Sequence, residues 1–175
     1  MVFAGFGGQG VLSMGTILAY AAMKEGKDVS WMPSYGPEMR GGTANCIVNI
    51  SDKQISSPIV TEYDVGIMLN LPSLKKFEPK IKKDGILIWE STNIKEPPSR
   101  KDIKAYGIPA VDKATTVLKN TKVMNMIVLG AMLKINGIVK KESLLTALKD
   151  SLPERYHNLL PLNEKAIELG MKLVE

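Results

Sequence analysis

A three-layer α/β/α domain with an open, largely parallel or mixed sheet is what this sequence predicts, on three observations. An apolar strand runs directly into glycines and then a helix over Val2-Phe3-Ala4-Gly5-Phe6-Gly7-Gly8-Gln9-Gly10-Val11-Leu12. Val65–Asn70 and Ile86–Glu90 are nearly continuous apolar runs, the pattern of strands covered on both faces. These strands alternate with helical segments, an order that builds a Rossmann-like arrangement of parallel strands with helices on both sides.

The elements follow in order. Val11 to about Glu25 reads as a helix with Leu12, Ile17, Leu18, Ala21 and Ala22 on its apolar side, closed by Gly26. A second strand over Asp28–Met32 is expected to break at Pro33 into a polar loop, Pro33–Thr43, dense in glycine and proline. Loops of that kind carry function more often than packing. Ala44–Ile50 is the next strand, followed by a turn and a short bridge through Ile55 to Ile59. After Val65–Asn70, Pro72 begins a helix over Ser73–Ile81, and Asp84-Gly85 turns into the strand Ile86–Glu90. Pro97-Pro98 starts a surface connection, Ile103–Val111 supplies one more extended piece, and Asp112–Leu118 reads as a short helix. The remainder is helical: Asn125–Ile135 closed by Asn136-Gly137, then amphipathic Lys141–Leu152 and Leu162–Leu173.

No shift of composition divides the 175 residues, so one domain over residues 1–175 is expected. No apolar run approaches the roughly 20 residues that span a bilayer, and no export signal is evident, so a cytoplasmic, membrane-free protein is expected. The single cysteine, Cys46, excludes an intramolecular disulfide and a cluster of thiolate ligands. With one histidine, His157, it cannot assemble a usual zinc site. The net charge of +5 comes mostly from lysine. Nucleic acid would call for arginine and stacking aromatics beside that charge, but the arginines are only Arg40, Arg100 and Arg155 and aromatics are sparse. A mild attraction for an anionic ligand or acidic partner is the better reading.

The glycine loop supplies the candidate site. Amides of Gly7, Gly8, Gln9 and Gly10 at the start of a helix suit a phosphate or another anion, and missing Cβ atoms allow close approach. The spacing Gly5-x-Gly7-x-x-Gly10 formally satisfies the dinucleotide fingerprint, but the end of the second strand carries Pro33-Ser34-Tyr35-Gly36 where an acidic residue should hold the ribose. A tight turn needed only for helix-on-sheet packing stays open beside an NAD or FAD site. Both special loops leave carboxyl ends of strands, so they are expected to meet at one rim. There Arg40 offers a fork of donors for a phosphate or carboxylate, with the amides of Gly41 and Gly42 beside it; a surface pair with Glu38 or Asp28 is the bland alternative. Glu38 could act as a base, but Arg40 would hold it ionised. No nucleophile elbow and no Gly-Lys-Ser/Thr triphosphate loop is present, so the residues read as a binding domain.

Taken together, Phe3-Ala4-Gly5-Phe6-Gly7-Gly8-Gln9-Gly10-Val11 and Ser34-Tyr35-Gly36-Pro37-Glu38-Met39-Arg40-Gly41-Gly42-Thr43-Ala44 resemble the gamma subunit of 2-oxoacid:ferredoxin oxidoreductases. Asn125-Met126-Ile127-Val128-Leu129-Gly130-Ala131 is similar to that family's helix, and the likeness covers nearly the whole chain. The resemblance implies membership of a multisubunit enzyme that oxidatively decarboxylates a 2-oxoacid with coenzyme A to acyl-CoA, CO2 and reduced ferredoxin. It places thiamine diphosphate and iron–sulfur clusters on alpha, beta and delta partners, with ferredoxin reached through the complex. It associates this domain with coenzyme A, whose phosphates the glycine loop and Arg40 could hold, while Tyr35 either stacks on an adenine or covers the core edge. A stand-alone nucleotide-binding oxidoreductase and a purely architectural subunit are the alternatives. Apolar area left by absent partners leaves homodimer formation open for the isolated chain.

Overall fold

The computed structural model describes residues 1–35 and 42–174; of Tyr35 the backbone alone is described. Glu38, Arg40 and Gly41 lie outside the described residues.

Six strands form one sheet: β1 (Val2–Phe6), β2 (Asp28–Tyr35), β3 (Thr43–Ser51), β4 (Tyr63–Met68), β5 (Ile81–Glu90) and β6 (Lys104–Ile108), in the order β2-β3-β1-β4-β5-β6. The pairs β1–β4, β4–β5 and β5–β6 are parallel, while β3 pairs antiparallel with both β1 and β2. The sheet is therefore mixed, with β3 alone reversed among the described strands. The helices are α1 (Val11–Lys24), α2 (Leu71–Phe77), α3 (Ala110–Thr116), α4 (Met124–Asn136), α5 (Lys141–Ser151) and α6 (Leu160–Lys172).

The apolar runs that suggested double coverage have it. Phe3, Val65, Ile67, Leu69, Ile88 and Ile108 face a large core shared with α1, α3, α4, α5 and α6. Val2, Ala4, Met68 and Leu87 face a smaller core that α2 closes with Leu74 and Phe77. Three layers result, but they are lopsided. Helix α4 is apolar almost all round and buries Met126 through Leu133, as expected for a helix enclosed on every side.

The structure corrects several boundaries. Strand β2 does not break at Pro33 but continues to Tyr35, pairing Pro33 with Cys46 and Tyr35 with Ala44. Proline is tolerated because β2 is an edge strand, where one side of the backbone has no ladder to donate into. Strand β5 begins at Ile81, five residues before the expected Ile86, and its pairing with β4 shifts register between Tyr63 and Val65. Asp84 adopts a positive φ of 62° within it, so the expected turn is an irregularity inside a strand. The helix after Pro72 ends at Phe77 and passes into a 3-10 turn over Glu78–Lys80. Asn70 caps this helix, its side chain accepting the Ser73 N–H at 2.8 Å. Strand β6 stops at Ile108 and α3 starts at Ala110, before the expected Asp112, and a 3-10 segment over Glu154–Leu159 precedes α6.

Candidate functional site

Strands β1 and β2 point the same way, so their carboxyl ends, and the chain entering β3 at Thr43, lie on one rim. A hydrogen bond joins the end of β1 to that entering chain: the Gly7 N–H donates to the Gly42 carbonyl at 2.9 Å. This contact spends the Gly7 amide on closing the rim, so that amide is not offered to a ligand as the sequence suggested. The outward-facing donors lie one step further on. Helix α1 opens at Gly10, in the left-handed conformation at φ 76°, with no side-chain cap and no acidic residue in its first turn. The amides of Val11, Leu12 and Ser13 thus begin the helix without an acceptor in the preceding turn, and the helix dipole adds positive potential there.

Two glycines of the loop are required by geometry. Gly8 has φ 95° with open space where a Cβ would point, so the chain turns there and its face stays clear. Gly10 has φ 76°, a conformation that favours glycine, and a Cβ there would also displace the Asn125 side chain at the start of α4. Gln9 braces the loop from below. Its Oε1 accepts the Phe6 N–H at 2.6 Å, and its Nε2 donates to the Leu69 carbonyl at 3.2 Å. The Gln9 side chain is thereby committed to holding the loop, while its neighbours Gly8 and Gly10 border the cleft.

The cleft itself has a volume of about 540 Å³ and is lined by Phe6, Gly7, Gly8 and Gly10, the first turn of α1, Trp31 and Gly42–Ala44. Its lining is mainly apolar, with a short polar arc of backbone amides and the exposed Ser13 and Thr43. That composition matches a ligand pocket with a few orienting polar groups. Of the residues singled out in the sequence, Gly7, Gly8, Gly10 and Gly42 meet at this cleft, and Tyr35 reaches the same rim through its pairing with Ala44. Trp31, Ser13 and Thr43 line it without having been singled out. Ser13 carried a signal, a hydroxyl in the first turn behind the glycine loop.

Other titratable groups serve elsewhere. His157 hydrogen-bonds to the Leu152 carbonyl at 2.9 Å within the α5–α6 connection. Cys46 is fully buried, and burial pushes its thiol up to about 12, as fits a small apolar core group. Asp28 accepts the Ile55 N–H. Among the described residues no cluster of three or more His, Cys, Asp or Glu could hold a metal ion, and no helix is long and apolar enough to cross a membrane.

This geometry can be set beside known proteins. Residues 1–173 match the family model described as pyruvate ferredoxin/flavodoxin oxidoreductase. The chain belongs to that family. Ketoisovalerate oxidoreductase subunit VorA of Methanothermobacter thermautotrophicus is 39% identical over 98% of this family member. The chain spans only 34% of the length of that relative, about a third. Among solved structures, the keto/oxoacid ferredoxin oxidoreductase gamma subunit from Geobacter sulfurreducens superposes with a TM-score of 0.83 at 29% identity, covering 99% of this chain and 96% of the other. The 2-oxoglutarate:ferredoxin oxidoreductase from Magnetococcus marinus, solved with 2-oxoglutarate, coenzyme A and succinyl-CoA bound, gives 0.89 at 26% identity. It covers 99% of this chain and 30% of that chain.

Proposed function

We propose that this chain is the gamma-type unit of a 2-oxoacid:ferredoxin oxidoreductase and that its glycine-loop cleft holds coenzyme A by the phosphates. The complex would convert a 2-oxoacid and coenzyme A to acyl-CoA, CO2 and reduced ferredoxin. Alpha, beta and delta partners holding thiamine diphosphate and iron–sulfur clusters would supply the decarboxylation and the electron transfer to ferredoxin. The observation that carries the reading is the shared rim. Uncapped amides at the start of α1 open on the same cleft as Gly42–Ala44, and the Gly7–Gly42 hydrogen bond holds the two sides together.

The residues present fit the phosphates of such a carrier. The open face of Gly8, the amides behind Gly10 and the Ser13 hydroxyl offer donors with no carboxylate in the first turn to oppose an anion. From the sequence, Arg40 adds a bidentate cation, and Tyr35, Glu38 and Gly41 flank it on the segment between β2 and β3. This chain's part in the reaction is to bind and orient the acyl acceptor, with Gln9 keeping the loop in its binding shape.

Loss of one charge-assisted arginine contact costs about 1.5–3 kcal/mol, or roughly 10- to 150-fold in affinity. Arg40→Ala should therefore raise the Michaelis constant for coenzyme A in the assembled enzyme by that factor. An unchanged constant together with failed assembly would move Arg40 to a subunit interface. An architectural reading is favoured by the exposed apolar side chains of Phe6, Tyr20, Met23 and Trp31. Amide exchange separates the two: coenzyme A should protect residues 5–11 and 34–43 in the complex, whereas an architectural loop would be protected by partner subunits alone.

A further inference from the structure

We infer that Trp31 is the aromatic wall against which the adenine of the carrier stacks, a role that rests on the coenzyme A reading above. Trp31 sits in the edge strand β2, remains 41% exposed, and lines the same cavity as Gly8 and Gly10. An indole left so open gains little from packing by itself, so its exposed face is available to a ligand.

The ring is nonetheless held in place. Its Nε1 edge shares with Cys46 and Val48 the space that faces Gly15 of α1. Gly15, in the middle of α1, makes the seat: a Cβ there would collide with Cys46 Sγ and lie 3.2 Å from Trp31 Nε1. Glycine is the poorest helix former after proline, and its place in the helix follows from the Cys46 sulfur packed against it, with the indole edge alongside. The outcome is a preorganised aromatic plane at the edge of a phosphate-sized arc of amides.

Coenzyme A divides at its pyrophosphate into two unlike arms. One ends in a planar purine and the other is a flexible aliphatic amide chain. With the phosphates on the amides behind Gly8, one arm must pass Trp31. A fixed indole rewards the arm with a π face, because base–aromatic stacking loses little conformational freedom on either side. The cavity also does not end at the indole. Leu12, Ser13, Thr16 and Leu152 line an adjoining depression of about 240 Å³ that shares Trp31 as a wall, which gives a ring room to lie flat.

The test is calorimetric titration of the assembled complex with coenzyme A, adenosine 3′,5′-bisphosphate and 4′-phosphopantetheine. Trp31→Ala should weaken coenzyme A and the bisphosphate by the same factor, roughly 5- to 150-fold, and leave 4′-phosphopantetheine unchanged. Trp31→Phe should retain most of the affinity. Equal loss for 4′-phosphopantetheine would put the other arm against the indole, and unchanged coenzyme A affinity in Trp31→Ala would remove the stacking role while leaving the coenzyme A reading intact. Absence of coenzyme A binding in the unaltered complex would overturn both. Should Trp31→Ala fail to fold, Trp31→Phe against Trp31→Met decides, since a retained ring supports stacking and equal affinities overturn it.

Discussion

At the scale of single residues, the loop that forms the cleft depends on Gln9 more than on any group facing the ligand. Its amide uses one end to accept from Phe6 at the end of β1 and the other to donate to Leu69 just past β4. Gln9→Glu keeps the shape and the acceptor but replaces the donor with a carboxylate facing the Leu69 carbonyl. Loss of that bond in a partly buried setting should cost about 1–3 kcal/mol, read as a lower melting temperature, with the proposed coenzyme A binding weakened in parallel. The sequence made the glycines legible because their spacing is local. Gln9 was legible only as a loop member, since its partner Leu69 lies 60 residues away. Trp31 was hidden for a related reason: an aromatic residue in an alternating strand reads as core. Its Nε1 edge meets Gly15 and Cys46, from two other elements, while the residue lines the cleft, a juxtaposition that no local pattern carries.

At the scale of elements, the tightest constraint is the crossing of α4 and α6. A Cβ at Gly130 would run into the Ile167 carbonyl, and one at Gly170 into the Ile127 carbonyl, so the two backbones are in direct contact at reciprocal positions. Main-chain atoms cannot rotate away as side chains do. Gly130→Ala or Gly170→Ala should each destabilise by about 3 kcal/mol or more, the upper end for overpacking, seen as a shifted denaturant midpoint. Because either change separates the same pair of helices, the double variant should cost less than the sum of the two. Element type was easier to read than element ends. The apolar runs at β4 and β5 announced double-sided burial, while Pro33 read as a breaker because local propensity carries no information about which strand lies at a sheet edge. Likewise Asp84-Gly85 reads as a turn from local preference, yet β5 runs through it to Ile81.

At the scale of the whole molecule, hydrogen-bonded carboxylates at the surface set the response to acid. Hydrogen bonds from Arg100, Lys24 and Lys141 hold Asp102, Asp150 and Glu168 below their ordinary values, and the Lys140 backbone N–H does the same for Glu25. Each of these carboxyls has a lower pKa folded than unfolded, so the unfolded chain binds more protons once pH drops below the ordinary carboxylate range. Their stabilisation is present above that range and is lost as pH falls through the depressed folded values. Melting temperature should therefore decline on acidification below about pH 4, with added salt flattening the decline. The reversal of β3 has a different kind of consequence. Parallel neighbours need a long crossover between them, whereas antiparallel ones can be joined by a short link. Since β2 and β3 run in opposite directions and pair at Tyr35 and Ala44, the end of one and the start of the other lie side by side. Strand ends so placed tolerate a change in the number of residues between them while every strand keeps its partner, which makes this corner of the sheet a convenient point for retuning the neighbouring cleft.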